Sequence, residues 1–254
     1  MTSLANKGPI QLVTFDLYDT LVEADPPRWA RFAASANRAG LDGGIDAFRA
    51  ADRVAEDFYT IENGQAPIRD RSPEEIETFR IEYTARMLEA AGLAHDLDTV
   101  HRVREIYVGE LDAREWTYRV FEDVMPALIL LEEHGVKRAI ISNADADITR
   151  FCLHMGFAQH MDLIVTSALV GWEKPDSRTY FAALDPLGVA PGDAIHIGDQ
   201  PLSDVAGARA IGMGAALIDR YLRHCDGEHG AMRVTSLTEL AVMVVEHNSH
   251  LAVR

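Results

Sequence analysis

Five apolar segments that are typical of buried β-strands recur along the chain, and helical segments separate the later ones. They are IQLVTFD (10–16), KRAIISN (137–143), MDLIVTS (161–167), DAIHIGD (193–199) and GAALID (214–219). Apolar strands that alternate with helices predict an α/β fold whose parallel sheet is covered on both faces. Right-handed crossovers then bring every strand's carboxyl end to one edge, where ligands bind in open α/β sheets.

The interval 23–120 differs from the rest of the chain, because it has helical patterns and no convincing strand. One of its helical segments begins at Ser72, and Glu75 follows three residues later, which fits a capping box. We therefore predict a helical cap domain over 23–120, inserted into a core domain formed by 1–22 and 121–254. Such a domain would cover the carboxyl edge of the sheet.

The composition limits the classes of partner and compartment. A formal net charge of −16 opposes binding to nucleic acid, whose phosphates are neutralised by Lys and Arg. No apolar stretch approaches the roughly 20 residues of a membrane span, and the N-terminus does not resemble a secretory signal. With Cys152 and Cys225 as its two cysteines, the chain shows no disulfide framework. We expect a cytoplasmic protein, a monomer or homodimer, whose small anionic substrate needs local positive charge.

Reactive side chains follow four of the strand-like segments. In chain order they are Asp16, Asp19 and Thr20; Ser142 and Asn143; Lys174; and Asp199 and Asp204. A carboxylate at the end of a buried strand is costly to desolvate unless a cation accompanies it. We therefore expect a functional site at this edge. His196 lies inside a buried-looking strand and is interpreted as a hydrogen-bonded core residue.

The residue types suggest roles in group transfer. A carboxylate nucleophile such as Asp16 needs a cation or hydrogen-bond donors that offset repulsion from an anionic substrate. Together with Asp199 and Asp204 it forms a cluster of hard oxygen ligands suited to Mg²⁺. Lys174 would neutralise further charge, while Ser142 and backbone N–H groups would bind oxygens of the transferred group.

Four motifs in order resemble the haloacid dehalogenase-like (HAD) hydrolase superfamily. They are FDLYDTLV, ISNA, GWEKPD and HIGDQPLSDVAGARAIGM. The resemblance covers residues 10–22 and 120–220, and it implies a Rossmann-like core. The insertion between the first and second motifs is similar to the α-helical C1 cap of that superfamily.

The resemblance also implies a role for each matching residue. Asp16 corresponds to the nucleophile, Lys174 steadies it, and Asp199 binds Mg²⁺. The backbone carbonyl of Tyr18 is a further expected metal ligand, and Asp204 is expected as a ligand or beside one. The residues expected to contact substrate are Ser142, Asn143, Tyr18 and Thr20.

Tyr18 departs from the phosphatase pattern, in which a second Asp at this place acts as general acid and base. Haloacid dehalogenases have Tyr there, since a halide leaves without a proton, and they need no metal. Their fourth motif resembles Ser-Ser-Asn-x-x-Asp, however, whereas this chain has Gly198, Asp199 and then Asp204. That difference favours a Mg²⁺-dependent phosphatase acting through an aspartyl intermediate on a small phosphorylated metabolite.

Other interpretations stay open. One is a 2-haloacid dehalogenase, and another is a small-ligand binding protein that keeps the fold without turnover. Asp19 is a substitute candidate for the missing acid. Alternation along an extended segment, however, turns its side chain away from Asp16 and Tyr18. We expect Asp19 to hydrogen-bond the turn instead.

Overall fold

The computed structural model describes residues 8–113, 116–225 and 230–252. The chain divides into two compact units. The first comprises Met1–Glu23 and Val120–Arg254, and the second comprises Ala24–Arg119.

A six-stranded parallel sheet forms the centre of the first unit, in the order β5-β4-β1-β6-β7-β8. The strands of the chain are β1 (Leu12–Phe15), β2 (Val22–Asp25), β3 (Thr117–Val120), β4 (Lys137–Ser142), β5 (Leu163–Thr166), β6 (Ala194–Gly198), β7 (Gly214–Ile218) and β8 (Met232–Val234). The five predicted strands are present as β1, β4, β5, β6 and β7, so the predicted α/β class is confirmed. Strand β8 was not predicted, because three residues are too few to give a pattern.

The two central strands are fully buried, which explains their continuous apolar sequences. Every residue of β1 and β6 is buried. In the register of the sheet, Phe15 lies opposite Ile140 of β4 and Ile197 of β6. The next residue, Asp16, donates its backbone N–H to the Ile197 carbonyl at 2.8 Å. The sheet therefore presents Asp16 at the carboxyl end of its most buried region.

Six helices accompany the sheet strands in sequence. They are α5 (Val124–Glu133), α6 (Thr149–Met155), α7 (Ser167–Val170), α8 (Ser177–Leu187), α9 (Gly207–Ala210) and α10 (Leu237–Ala252). A single π-helical turn, Pro201–Ala206, precedes α9. Apolar side chains of α8, including Tyr180 and Leu184, pack on Leu12 and Ile141 of the sheet. Burial of this kind stabilises the layered fold by about 25 cal/mol for each Å² of apolar surface.

The second unit is helical. Its helices are α1 (Arg28–Arg38), α2 (Ile45–Gln65), α3 (Pro73–Ala90) and α4 (Leu97–Asp112). The predicted capping box begins α3: Glu75 donates its N–H to Ser72 Oγ, and Ser72 donates its N–H to the Glu75 carboxylate. Among the helices of the described residues, none combines the length and apolarity needed to cross a bilayer.

One expectation for the inserted interval was wrong. We expected no strand between residues 23 and 120, yet β2 and β3 lie at its two ends and pair with each other. Each has only four residues, and both sequences, VEAD and TYRV, contain charged residues. Such short, partly polar strands give no alternation that a sequence pattern could identify.

Candidate active site

The carboxyl ends of three neighbouring strands place the predicted site residues. Asp16 directly follows β1, Ser142 is the last residue of β4, and Asp199 directly follows β6. Parallel pairing of β1 with both neighbours brings these three positions to one edge. Lys174 and Asp204 reach the same edge through hydrogen bonds. All five residues belong to the first compact unit.

Lys174 joins two of the carboxylates. Its Nζ lies 2.7 Å from Asp16 Oδ1 and 2.7 Å from Asp204 Oδ1. The Lys174 side chain is only 2% exposed, so this charge is available to the site and not to solvent. Burial acts to lower the pKa of Lys174, but the charges of Asp16 and Asp204 outweigh it and hold the pKa above its ordinary value. The amine is therefore a fixed positive charge.

Asn143 fixes the backbone of Lys174. Asn143 Oδ1 accepts from the Lys174 N–H at 2.7 Å, and Asn143 Nδ2 donates to the Lys174 carbonyl at 3.0 Å. We predicted Asn143 as a substrate contact. Both polar atoms of its side-chain amide bond the backbone of one residue, which favours a positioning role, and the substrate contact stays a prediction.

Asp204 is enclosed by donors. Besides Lys174, its Oδ1 lies 3.2 Å from His196 Nε2, and its Oδ2 accepts from the Gln200 N–H at 2.9 Å. Burial acts to raise the pKa of Asp204, but Lys174 and the bond from His196 outweigh it and lower the pKa. Gly198 makes room for this arrangement, because a Cβ there would overlap the Asp204 carboxylate.

His196 is confirmed as a buried, hydrogen-bonded histidine, with one partner on each ring nitrogen. Its Nδ1 lies 2.8 Å from Thr14 Oγ1, and its Nε2 faces Asp204. Burial lowers the pKa of His196, which favours a neutral ring. A neutral ring that donates from Nε2 accepts from Thr14 at Nδ1. His196 thus links the interior of the sheet to the carboxylate that holds Lys174.

Asp16 and Asp199 are poorly compensated carboxylates. Burial, opposed by Lys174 and reinforced by Asp204, raises the pKa of Asp16 from 3.8 to about 6. Burial also raises the pKa of Asp199 well above its ordinary value, and repulsion from Asp19 and Asp16 adds to this despite Arg223. Because Phe15 pairs with Ile197, the two carboxylates follow adjacent strands at the same edge of the sheet. Their proximity is the arrangement on which the predicted site depends.

Three residues that contact this cluster were missed from the sequence. Gln200 Nε2 donates to Asp199 Oδ2 at 3.0 Å, and Arg223 Nη2 lies 3.2 Å from the same oxygen. Tyr221 donates its hydroxyl to Asp19 Oδ1 at 3.1 Å. Both Tyr221 and Arg223 follow β7, the fifth predicted strand. We searched for reactive side chains after the carboxyl ends of four predicted strands. The same search after β7, which we call the strand-end rule, would have identified both residues.

Asp19 does not follow the expected alternation. Its φ of 56° is left-handed, so the chain leaves the extended conformation there. Its backbone N–H donates to the Val22 carbonyl at 2.7 Å, whereas its carboxylate accepts from Tyr221, so a side-chain hydrogen bond to the turn stays a prediction. Its carboxylate nevertheless lies near enough to Asp199 to raise the pKa of that residue.

Two buried hydroxyls lie at the end of β4 and in the turn between β1 and β2. Ser142 Oγ and Thr20 Oγ1 are buried, and neither has a hydrogen-bond partner within the described part of the chain. A buried hydroxyl without a partner is costly, so such groups mark places where a ligand can supply one. Tyr18 is half-buried, and its ring centroid lies 6.1 Å from that of Phe151.

The donor set fits a magnesium ion. Mg²⁺ takes one or two carboxylates and keeps waters or substrate oxygens as its other ligands. Asp16 and Asp199 supply two hard, buried carboxylates that directly follow neighbouring strands. Within residues 8–113, 116–225 and 230–252, no group of three or more His, Cys, Asp or Glu side chains is placed to hold a metal ion, so the remaining ligands would be backbone, water or substrate oxygens. Asp204 already accepts from Lys174 and Gln200 and faces His196, so of its two expected roles the place beside a metal ligand fits better than that of a ligand.

Comparison with known proteins supplies independent information. A family model of haloacid dehalogenase-like hydrolases matches residues 10–212. The mouse haloacid dehalogenase-like hydrolase domain-containing protein 3 is 28% identical over 222 residues, which is 85% of this chain and 84% of that protein. A phosphoserine phosphatase of Thermus thermophilus is 35% identical over 164 residues, 64% of either protein.

Solved structures show the same fold. An L-2-haloacid dehalogenase matches with a TM-score of 0.63 at 19% identity, covering 93% of this chain and 99% of that one. A HAD phosphatase from Thermococcus onnurineus matches with a TM-score of 0.53 at 20% identity, covering 92% and 98%. Both chemistries occur on this fold, so the choice between them rests on the site residues.

Proposed function

Because this chain belongs to the haloacid dehalogenase-like hydrolases, we propose that it is a Mg²⁺-dependent phosphatase acting on a small phosphorylated metabolite. One observation carries the proposal: Asp16, held by Lys174 at 2.7 Å, and a second buried carboxylate, Asp199, directly follow two paired strands of the sheet. Relatives named phosphoserine phosphatase and glyceraldehyde 3-phosphate phosphatase support the same class. We also assign the helical unit Ala24–Arg119 to the C1 cap, because it is inserted between the first and second motifs.

Asp16 is the proposed nucleophile. Lys174 occupies Oδ1, which leaves Oδ2 to attack phosphorus. The new bond joins this oxygen to phosphorus while the bond to the leaving-group oxygen breaks, giving an aspartyl phosphate. Water then cleaves the acyl phosphate and regenerates the carboxylate. Lys174 stays charged throughout, so it holds Asp16 in place and offsets charge on the phosphoryl oxygens.

The chain's own groups would bind the phosphoryl oxygens and the metal. Asp16, Asp199 and the backbone carbonyl of Tyr18 would hold Mg²⁺, which when bound neutralises charge shared by the carboxylates and the phosphoryl group. The buried hydroxyls of Ser142 and Thr20 are the proposed donors to phosphoryl oxygens, since neither has a partner among the described residues.

Protonation of the leaving group is the weak part of this site. A phosphatase of this superfamily has Asp where this chain has Tyr18. General acid catalysis usually contributes ~10²–10⁴ in rate, so its absence restricts the enzyme to leaving groups that need no proton. We therefore expect aryl and acyl phosphates to be better substrates than alkyl phosphates.

Dehalogenation of a 2-haloacid is the second candidate, and Tyr18 is the observation that favours it. The acidic residues oppose it, because carboxylates outnumber cationic side chains around the nucleophile. The carboxylates are those of Asp16, Asp19, Asp199 and Asp204, and the cations are Lys174 and Arg223. Without a metal, this excess would repel the carboxylate of a haloacid.

A substrate screen that records both products tests the proposal. The protein is incubated with aryl, acyl and alkyl phosphates and with 2-haloacids, with Mg²⁺ or with EDTA. We expect phosphate release from aryl and acyl phosphates that EDTA abolishes. Asp16→Asn should abolish it too, whereas Asp123→Asn, which removes a carboxylate outside the proposed site, should retain it in the folded protein.

Each other outcome points elsewhere. Halide release that persists in EDTA would establish the dehalogenase. Binding of Mg²⁺ or phosphate without turnover across the panel would establish a non-catalytic binding protein. Phosphate release that survives Asp16→Asn would refute the aspartyl intermediate.

A further inference from the structure

Residues 219–224, which we call the β7 turn, connect the carboxyl end of β7 to the proposed metal site. Asp219 anchors this turn: Oδ1 accepts from the Arg223 N–H at 2.8 Å, and Oδ2 accepts from the His224 N–H at 3.0 Å. Arg233 of β8 also donates to Asp219 Oδ2, at 2.8 Å. The turn is therefore held by hydrogen bonds to the buried side chain of Asp219.

The β7 turn aims two side chains at the acidic cluster. Tyr221 donates to Asp19, and the guanidinium of Arg223 lies 5.2 Å from the Tyr221 ring centroid. Leu222, between them, has a left-handed φ of 55°, which a branched side chain adopts only under constraint. This conformation is consistent with a turn built to place its neighbours.

Arg223 forms an ion pair with Asp199, the carboxylate expected to bind magnesium. Nη2 lies 3.2 Å from Asp199 Oδ2, and each side chain of the pair is 5% exposed. A guanidinium in this position gives Asp199 a positive charge and a hydrogen bond. A divalent ion that binds Asp199 must displace this hydrogen bond or share the carboxylate with Arg223.

We propose that Arg223 is a resident cation of the metal site, which neutralises Asp199 when magnesium is absent and competes with magnesium for its carboxylate. This inference rests on the magnesium site of the proposed function. It predicts that the protein stays stably folded without metal and binds Mg²⁺ more weakly than its carboxylates alone would allow. The strength of metal binding is then set by a residue outside the four sequence motifs.

The test is calorimetric titration of MgCl₂ into the whole chain and its variants, without substrate. Arg223→Gln should tighten Mg²⁺ binding by about tenfold, the scale of one lost charge-assisted competitor. Arg223→Lys keeps the charge and should stay near the wild type. Arg209→Gln is the matched control, because Arg209 is exposed and donates to the Gly230 carbonyl instead of to a site carboxylate.

Thermal unfolding gives a second readout in case Arg223→Gln folds poorly. In EDTA this variant should melt below the wild type, because Asp199 loses its cation, and Mg²⁺ should raise its melting temperature more than that of the wild type. Equal or weaker Mg²⁺ binding by Arg223→Gln, with Mg²⁺ still binding the wild type, would overturn the competition and leave the phosphatase proposal standing. Tighter binding without turnover of any phosphate would support the competition and count against the phosphatase. Absence of Mg²⁺ binding in both proteins would overturn both.

Discussion

The metal-free enzyme should become more stable when its proposed nucleophile is neutralised. Burial raises the pKa of Asp16 from 3.8 to about 6, so the folded state binds this proton more tightly than the unfolded state does. The free energy of unfolding therefore falls as pH rises from 3.8 towards 6 and stays lowered above that range. At about 1.4 kcal/mol for each pKa unit, the ionised carboxylate costs about 3 kcal/mol of stability at neutral pH. Asn mimics the neutral acid, so Asp16→Asn should recover up to about 3 kcal/mol.

Urea unfolding at pH 7.5 and at pH 4, in EDTA, measures this effect. The gain from Asp16→Asn should be largest at pH 7.5 and should shrink at pH 4, where the wild-type carboxyl is protonated in the folded state and only partly ionised in the unfolded state. Saturating Mg²⁺ should reverse the order of stability at pH 7.5, because the wild type keeps a metal ligand that the variant lacks.

Asp123→Asn is the matched control, and its expected change in the free energy of unfolding has the opposite sign. Asp123 Oδ2 accepts from Arg220 at 2.6 Å and from the Leu237 N–H at 2.7 Å. Burial acts to raise the pKa of Asp123, but these partners outweigh it and lower the pKa, so loss of the charge should destabilise the protein. If Asp16→Asn lowers the unfolding free energy in EDTA at pH 7.5, the carboxylate is well compensated and the reasoning fails.

Three further substitutions test the arrangement of the site. Tyr18→Asp should restore a general acid and raise Mg²⁺-dependent hydrolysis of alkyl phosphates by about 10²; unchanged turnover would show that protonation is not limiting. His196→Leu should lower kcat by loosening Asp204, whereas His196→Gln, which can still donate, should retain more activity; equal losses would mean that packing alone matters. Gly198→Ala should destabilise the fold, because its Cβ would overlap the Asp204 carboxylate; an unchanged midpoint of urea unfolding would show that this carboxylate can move.

Most of the sheet was predictable because it is buried on both faces. Its predicted strands 10–16 and 193–199 correspond to β1 and β6, whose residues are all buried. Buried strands must be apolar throughout, and this leaves a clear signal in the sequence. The short edge strand β8 and the pair β2 and β3 leave no such signal, since their packing depends on partners distant in sequence.

The residues that form the site were easier to predict from the sequence than the hydrogen bonds between them. The strand-end rule identified Asp16 and Lys174, which the structure joins at 2.7 Å. It could not show that the Asp204 carboxylate would hydrogen-bond with Lys174 and His196, because rotamers and hydrogen-bond partners depend on packing. The rule also did not identify Arg223. Its contact with Asp199 depends on the conformation of the β7 turn, in which the Arg223 N–H donates to Asp219.

The reciprocal bonds between Asn143 and Lys174 attach the ammonium to the sheet. They join two residues separated by 31 positions in sequence, and the segment between them contains β5. The backbone of Lys174 is thereby tied to the residue that directly follows β4. A shift of the carboxyl end of β4 would therefore move the ammonium with it.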